Sequence, residues 1–397
     1  MKIKLKRSFW LLFFSILTFS FLASACQLKK RGGEDDGSAS SNTNQSKSDS
    51  DSSDSSEKEK LQIAPGYVLL GNVSFDRYGE ETSDFEKVKN KVESAILKNP
   101  SVGLLEYQST FQYKYSPVLD KFLVGVRNAD YPTKSGAKSF VALFLVDSDG
   151  ENLTPIKIVD DKSSSYIVSP TFSADGRSEI GWIEKDEKIE KYAVRVHIYN
   201  ISNSREMIYK IEEPSVIFDE SVLAFWNDKI IFKTDRLTNP FKNTFLTYAA
   251  RSSFDEVNIL KPSPFTFISE VKEALQTDAN LDFVGILTSI SRSGVVKVYY
   301  IIRETVIDSE TRTNQNKLLI VEQSGVGNLR VVMELEFDTA IFSSQVSFDS
   351  KVPVILKDKG GVYLKSIDLL GRNQMEIASG KAIETSIMEP TWWKKNS

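Results

Sequence analysis

The 397-residue sequence contains one cysteine, Cys26, and one histidine, His197. A lone thiol cannot close an internal disulfide, and one residue of each kind cannot supply the clustered Cys/His spacing of a structural zinc site. Any histidine chemistry rests on His197 alone, and no Gly-x-Ser-x-Gly elbow accompanies it. Basic charge is not in surplus: 50 Lys and Arg stand against 54 Asp and Glu, with no basic patch interleaved with aromatics, so nucleic-acid binding is not expected. Beyond residue 61 no Gly/Pro-rich or polar linker divides the chain.

What is present begins at the N-terminus. Lys2, Lys4, Lys6 and Arg7 precede the apolar run Ser8 to Ala25, and small residues follow, the order of an export signal over residues 1–25. The run is near the minimum length of a membrane span, so a retained anchor is the rival reading. From Gln27 to about Lys60 the composition becomes "GGEDDGSASSNTNQSKSDSDSSDSSEKEK". Such a stretch cannot bury enough surface to offset its ordering entropy and is expected to be a disordered tether. A relaxed coil of roughly 34 residues spans on the order of 30 Å. Without residues 1–25 the charge balance is 46 basic against 54 acidic, a net −8.

The segment "LASAC", Leu22 to Cys26, resembles the lipobox of bacterial lipoproteins, in the relaxed form found in spirochaetes, with Leu22 one step further from the cysteine than usual. The resemblance implies that Cys26 is diacylated and becomes the new N-terminus. Two acyl chains hold a protein at a membrane where one binds only marginally. Gln27 stands where diderm lipoproteins retained at the inner membrane carry Asp, which directs the expectation to the outer membrane, on its periplasmic face or at the cell surface.

From Leu61 to Ser397 some 337 residues remain, more than one ordinary core contains. A repeat accounts for them. The phrase "SPTFSADGRSEIGWI", residues 169–183, has Asp175 followed by Gly176 and a strand. Related phrases occur at Ser116, Pro117, Asp120 and Lys121, at Trp226, Asp228 and Lys229, and at Ser347, Asp349 and Lys351. The anchors at 120, 175, 228 and 349 are spaced by 55, 53 and 121, the last nearly two periods, and two strand-like runs about a Ser291–Gly294 turn occupy the missing place near 288. Between anchors, the Asp147–Asn152 stretch with Gly150, the Val194/Val196/Ile198 alternation, and the run around Gly371 read as hairpins. Four short strands per repeat of about 50 residues is the pattern of a propeller blade.

Residues 170–177 and 143–153 resemble the TolB-like, WD-type β-propeller repeat. The resemblance covers about Tyr107 to Trp393 in spacing and implies an all-β propeller of six blades, with five to seven compatible. TolB also has an N-terminal α/β domain, for which residues 61–106 are too short, so a role in the Tol system does not carry over. The terminal Glu389-Pro390-Thr391-Trp392 aligns with Ser169-Pro170-Thr171-Phe172 and begins a blade whose missing strand is sought in Ala64 to Phe75. Closure of that kind protects sheet edges. Two amphipathic helices are expected to cover propeller faces: about 83–98, with Ser83 as N-cap and Glu86 three residues on, and Phe267 to Leu275.

The chemistry read from these motifs is structural. Asp175 and Gly176 fit a turn, and Phe172 fits space between blades. A calcium loop with Gly150 sixth would place Leu145 and Ile156 at ligand positions, so the hairpin reading is preferred. His197 is read as a solvated residue on the polar face of its strand, beside Arg195 and Tyr199. Propeller-bearing prolyl oligopeptidase-like enzymes carry a long C-terminal hydrolase segment, absent after Trp393. No catalytic, cofactor-binding or metal-ligating residue is expected. The functional expectation is a non-enzymatic, lipid-anchored propeller binding other envelope proteins, for instance in outer-membrane protein assembly. The alternatives are a surface adhesin or host-interaction lipoprotein, and a carbohydrate-active propeller enzyme. If Cys26 is acylated, the wild type should partition into the detergent phase in Triton X-114 and Cys26→Ala should remain unprocessed; normal maturation of the variant would refute acylation.

Overall fold

The computed structural model describes residues 66–71, 73–102, 109–128, 140–159, 165–186, 194–211, 216–226, 229–236, 244–250, 259–260, 263–264, 267–277, 279–290, 296–307, 314–323, 329–335, 339–342, 351–358, 361–370, 373–379 and 390–393. Cys26, the 27–60 segment, Asp228, the Ser291–Gly294 turn, Asp349 and Gly371 lie outside the described residues. The chain divides into Met1–Glu57 and Lys58–Ser397, and every described residue belongs to the second unit. Among the described residues no helix is long and apolar enough to cross a membrane.

The second unit opens with three short strands, β1 (Tyr67–Leu70), β2 (Val73–Phe75) and β3 (Glu81–Thr82), followed by helix α1 (Asp84–Leu97). Five sheets then form in chain order. The first contains β4 (Ser109–Ser116), β5 (Lys121–Asn128), β6 (Ala142–Asp147) and β7 (Thr154–Ile158). The second contains β8 (Ser165–Phe172), β9 (Glu179–Asp186), β10 (Val194–Asn200) and β11 (Arg205–Ile211). The third contains β12 (Val216–Trp226), β13 (Lys229–Arg236) and β14 (Thr244–Ala250). In the excursion after β14, β15 (Ile259–Leu260) adds in parallel to the outer edge of β11, and β16 (Ser263–Pro264) returns to β14. Helix α2 (Phe267–Leu275) leads into the fourth sheet, β17 (Asn280–Ile290), β18 (Val296–Ile307), β19 (Asn314–Gln323) and β20 (Leu329–Leu335). The fifth is β21 (Thr339–Phe342), β22 (Lys351–Asp358), β23 (Gly361–Asp368) and β24 (Asn373–Ser379), and β25 (Thr391–Trp393) ends the series.

Each sheet packs on the next. The first and second share a core containing Leu123, Leu143, Ile167 and Trp182. Strands β8 and β9 meet β12, and β12 and β14 meet β17. The fourth and fifth share Tyr299, Ile301, Val352 and Val354. The circle closes through a further sheet of order β25-β1-β2-β3, in which the C-terminal strand pairs antiparallel with the N-terminal one, Tyr67 opposite Trp393 and Leu69 opposite Thr391. This ring of small antiparallel sheets is an all-β propeller with few helices, and its sheet count falls within the expected five to seven. The N-terminal contribution to closure exceeds the expected single strand: three strands come from this end, and one from the other.

Closure depends on the period-2 alternation of a strand. The neighbouring tryptophans of β25 point to opposite faces. Trp392 enters the core shared with the fifth sheet, beside Ile355, Leu364 and Ile377, and donates its indole N–H to the Lys351 carbonyl at 2.9 Å. Trp393 enters the core shared with the first sheet, with Phe85, Phe122 and Tyr67 about its ring. At Gly66 a Cβ would meet the Trp393 carbonyl oxygen at 2.9 Å, so the close approach of the two chain ends requires glycine there.

Because a propeller sheet is covered on both faces, the middle strands of the first sheet are apolar throughout rather than in alternation: Phe122 to Val126 and Ala142 to Val146 are buried without a break. Helix α1 buries Phe85, Val92 and Ile96 against the first and closing sheets and rests on the β6–β7 turn at Gly150. It covers a face as expected, but Ser83 makes no side-chain cap; its carbonyl accepts from Glu86 N at 3.0 Å, and Thr82 Oγ1 accepts from Asp84 N at 3.2 Å. Val271 of α2 packs on Val298, Tyr300 and Leu319 of the fourth sheet. Burying each large apolar side chain contributes about 1.5–3 kcal/mol. Truncating a buried tryptophan costs about 3–5 kcal/mol, and Trp393→Ala should do so. Deleting residues 389–397 should lower the Tm far below that of a 27–60 deletion, which should match the wild type; equal calorimetric Tm values for the two truncations would contradict the closure argument.

Candidate functional site

The turn that carries the repeat is held by one carboxylate. Asp175 Oδ1 accepts from Ser173 Oγ at 2.5 Å and from the Arg177 and Ser178 amides at 3.1 Å each, and its Oδ2 accepts from Ser178 Oγ. Burial alone would raise the Asp175 pKa, but these donors outweigh it and hold the carboxyl below its ordinary range. Gly176 follows at φ +68°, where an added Cβ would lie 3.3 Å from Ser116 Oγ, and its carbonyl accepts a hydrogen bond from that same buried hydroxyl. One turn is thereby tied to the turn of the preceding sheet. The Asp147–Asn152 stretch is likewise a hairpin turn: Gly150 N donates to Asp147 O at 2.9 Å, Asn152 Nδ2 donates to Asp147 Oδ2 at 2.6 Å, and Lys121 pairs with Asp147. Among the described residues no group of three His, Cys, Asp or Glu side chains is disposed to hold a metal ion.

His197 is not solvated. It is 1% exposed, and its neighbours Val196 and Ile198 are fully buried, because the face that reads as polar is covered by the first sheet. Its ring stacks on Trp182 of β9, with centroids 5.2 Å apart and planes at 17°. Its Nδ1 lies 2.6 Å from Glu206 Oε1 on β11; a carboxylate can only accept, so Nδ1 carries a proton. Its Nε2 lies 3.3 Å from Glu184 Oε2 on β9. Lys157 reaches across from β7 of the first sheet, 3.2 Å from Glu184 and 3.8 Å from Glu206. Arg195, beside His197 in the expected alternation, is 3.9 Å from Glu184. The hydrogen bond from His197, supported by the charge of Lys157, holds the Glu206 carboxyl below its usual range despite burial.

A second charged group sits on the fourth sheet. Glu322 is 5% exposed and pairs with Arg330 at 2.8 Å and Lys297 at 3.1 Å. Opposite it on β18, the Tyr299 hydroxyl is pushed up to about 12, first by burial and then by the Glu322 charge, with Arg330 opposing. Sequence reasoning singled out His197 and Arg195 but missed Lys157, Glu184, Glu206, Lys297, Glu322 and Arg330. The available signal was a charge inside an otherwise apolar strand, as in "LLIVEQ" around Glu322.

No known protein family matches the chain, and no curated protein matches it. Several solved structures do, at low identity. Oligopeptidase B from Trypanosoma brucei, with covalently bound antipain, is 11% identical with a TM-score of 0.36, over 68% of this chain and 34% of that one, so the chain spans about a third of that protein. An α-L-arabinanase from Penicillium chrysogenum complexed with arabinobiose is 11% identical with a TM-score of 0.39, over 70% of this chain and 82% of that one. The nidogen/laminin complex gives 9% identity and a TM-score of 0.38, over 72% and 86%. These likenesses carry no argument about activity or partner, and the propeller assignment rests on the ring of sheets.

Since the Glu206 pKa is depressed from its ordinary 4.5, its contribution to stability is complete above that pH and is lost as pH falls through the lower folded value. The Asp175 turn follows the same sign. Denaturation midpoints measured against pH should therefore fall on the acid side of the carboxylate range, and Glu206→Gln should flatten part of that fall; an acid limb unchanged in the variant would show that Glu206 does not contribute to it.

Proposed function

We propose that the protein is a non-enzymatic, lipid-anchored propeller scaffold of the bacterial envelope, held by diacylated Cys26 at the periplasmic face of the outer membrane and binding other envelope proteins. The observation that supports this reading is the fate of His197. It is the one side chain whose ordinary titration suits acid–base work near neutrality, and it is 1% exposed and committed to contacts between two sheets. The histidine is thus engaged internally, while the loop-bearing faces of the ring and the outer side of α1 are available for contact.

The polar 27–60 segment suits this role as a tether. It connects Cys26 to β1, a strand of the closing sheet, so a pull on the tether bears on the element that completes the ring. A tether of this kind is also the part most open to proteolysis. In intact cells the protein should be protected from added protease, and permeabilising the outer membrane should release a propeller fragment cut within 27–60, read by blotting. Chemical crosslinking in the same cells should capture an envelope protein with wild type and with folded His197→Gln alike. Cleavage in intact cells would favour the surface adhesin reading instead, and hydrolytic turnover that co-purifies with the chain and is lost in folded His197→Gln would favour an enzyme.

A further inference from the structure

The contact between His197 Nε2 and Glu184 Oε2 joins two buried atoms 3.3 Å apart that do not meet hydrogen-bond geometry with each other, and the same Glu184 oxygen lies 3.2 Å from Lys157 Nζ. The contact is therefore coulombic, and its sign is set by the charge on the ring. With Nδ1–H already donated to Glu206, an uncharged imidazole presents a lone pair at Nε2 to a carboxylate oxygen, and two acceptors repel. A ring protonated at both nitrogens presents N–H and positive charge instead, and the same contact attracts. The stacked Trp182 face at 5.2 Å acts in the same sense, since an aromatic face attracts a cation.

The groups facing the ring come from four strands. Glu184 and Trp182 stand on β9, Arg195 flanks the ring on its own β10, Glu206 stands on β11, and Lys157 reaches in from β7 of the preceding sheet. Lys157 touches both carboxylates and is the link across the sheet interface. Both carboxylates also face the His197 ring from within their own sheet.

We propose that His197 is a proton-operated latch: as an imidazolium it clamps Glu184 and Glu206 in position for Lys157, and loss of its proton loosens the interface between the β4–β7 and β8–β11 sheets. The latch operates over a bounded pH range. It requires ionised carboxylates and a protonated ring together, so the coupling is lost when either side changes its charge.

Because the chain has a single histidine, the imidazole can be read without ambiguity. The full chain, labelled with 15N-histidine and held in detergent, should give one pair of ring-nitrogen resonances. If the latch holds, both nitrogens should show the imidazolium pattern at the acid end of the series, passing on alkalinisation to a form protonated at Nδ1 alone. Over the same pH interval the Tm of the wild type should fall. In Glu184→Gln the nitrogen titration should move to lower pH, because the carboxylate that favours the charged ring has gone. In His197→Gln the Tm should no longer change over that interval. A wild-type ring uncharged at the acid end of the series, an unmoved titration in Glu184→Gln, or a wild-type Tm indifferent to the titration would each overturn the latch, and the first and third require no variant to fold.

Discussion

Three residues at one end of the chain, Thr391 to Trp393, pair with three at the other, Tyr67 to Leu69, and the remaining architecture depends on that pairing. A sheet in a ring is stabilised by the sheets on both sides of it, so a single open interface exposes two cores rather than one. Strand β25 seals both. Its alternating side chains send Trp392 toward the fifth sheet and Trp393 toward the first, and Thr391 Oγ1 accepts from the Tyr115 amide at 3.1 Å, tying the closing strand to the first strand of the next sheet. Helix α1 reinforces the joint by inserting Phe85 among Tyr113, Phe122 and Trp393. The sequence separation of the paired ends is the whole length of the propeller, so the closing contact forms only after a large loop-closure cost has been met.

Stacking sheets on both faces changes what a polar residue inside a strand means. In an open sheet one face is wet, and a charge there costs little. In this ring the corresponding face is covered, and a charge survives only if its neighbours satisfy it. Among the described residues two groups of this kind occur: Lys157 with Glu184, His197 and Glu206, and Lys297 and Arg330 with Glu322. Exchanging such networks for apolar residues need not destabilise a protein, but removing one partner leaves a buried charge uncompensated. The network around Lys157 links the first sheet to Glu184 and Glu206 of the second. The Ser116 hydroxyl donating to the Gly176 carbonyl links the same two sheets at their turns.

These constraints shape the functional reading. A ring whose interior charges are paired with one another presents the outside world with turns, outer strands and, among the described residues, two covering helices. The outer strand β7 shows the transition, with exposed Thr154 and Pro155 leading into half-buried Ile156 to Ile158.

Local physics was legible in the sequence. Asp175-Gly176 and Asp147–Asn152 specify turns through their own backbone and side-chain hydrogen bonds, which involve neighbours within a few residues, and the structure places turns at both. The spacing of such turns was enough to indicate a propeller, and the alignment of Thr391-Trp392 with Thr171-Phe172 marked two equivalent first strands because the same packing problem recurs at each sheet. The environment of His197 was not legible. Alternation reports which residues share a face, and Arg195, His197 and Tyr199 do share one, but it cannot report whether that face meets water or another sheet. That is decided by the ring, which brings Lys157, forty residues earlier in the chain, against Glu184 and Glu206 and so converts a residue that reads as solvated into a buried, doubly contacted one. Turn chemistry is a property of adjacent residues, whereas burial and charge pairing are properties of what the closed ring places across each interface.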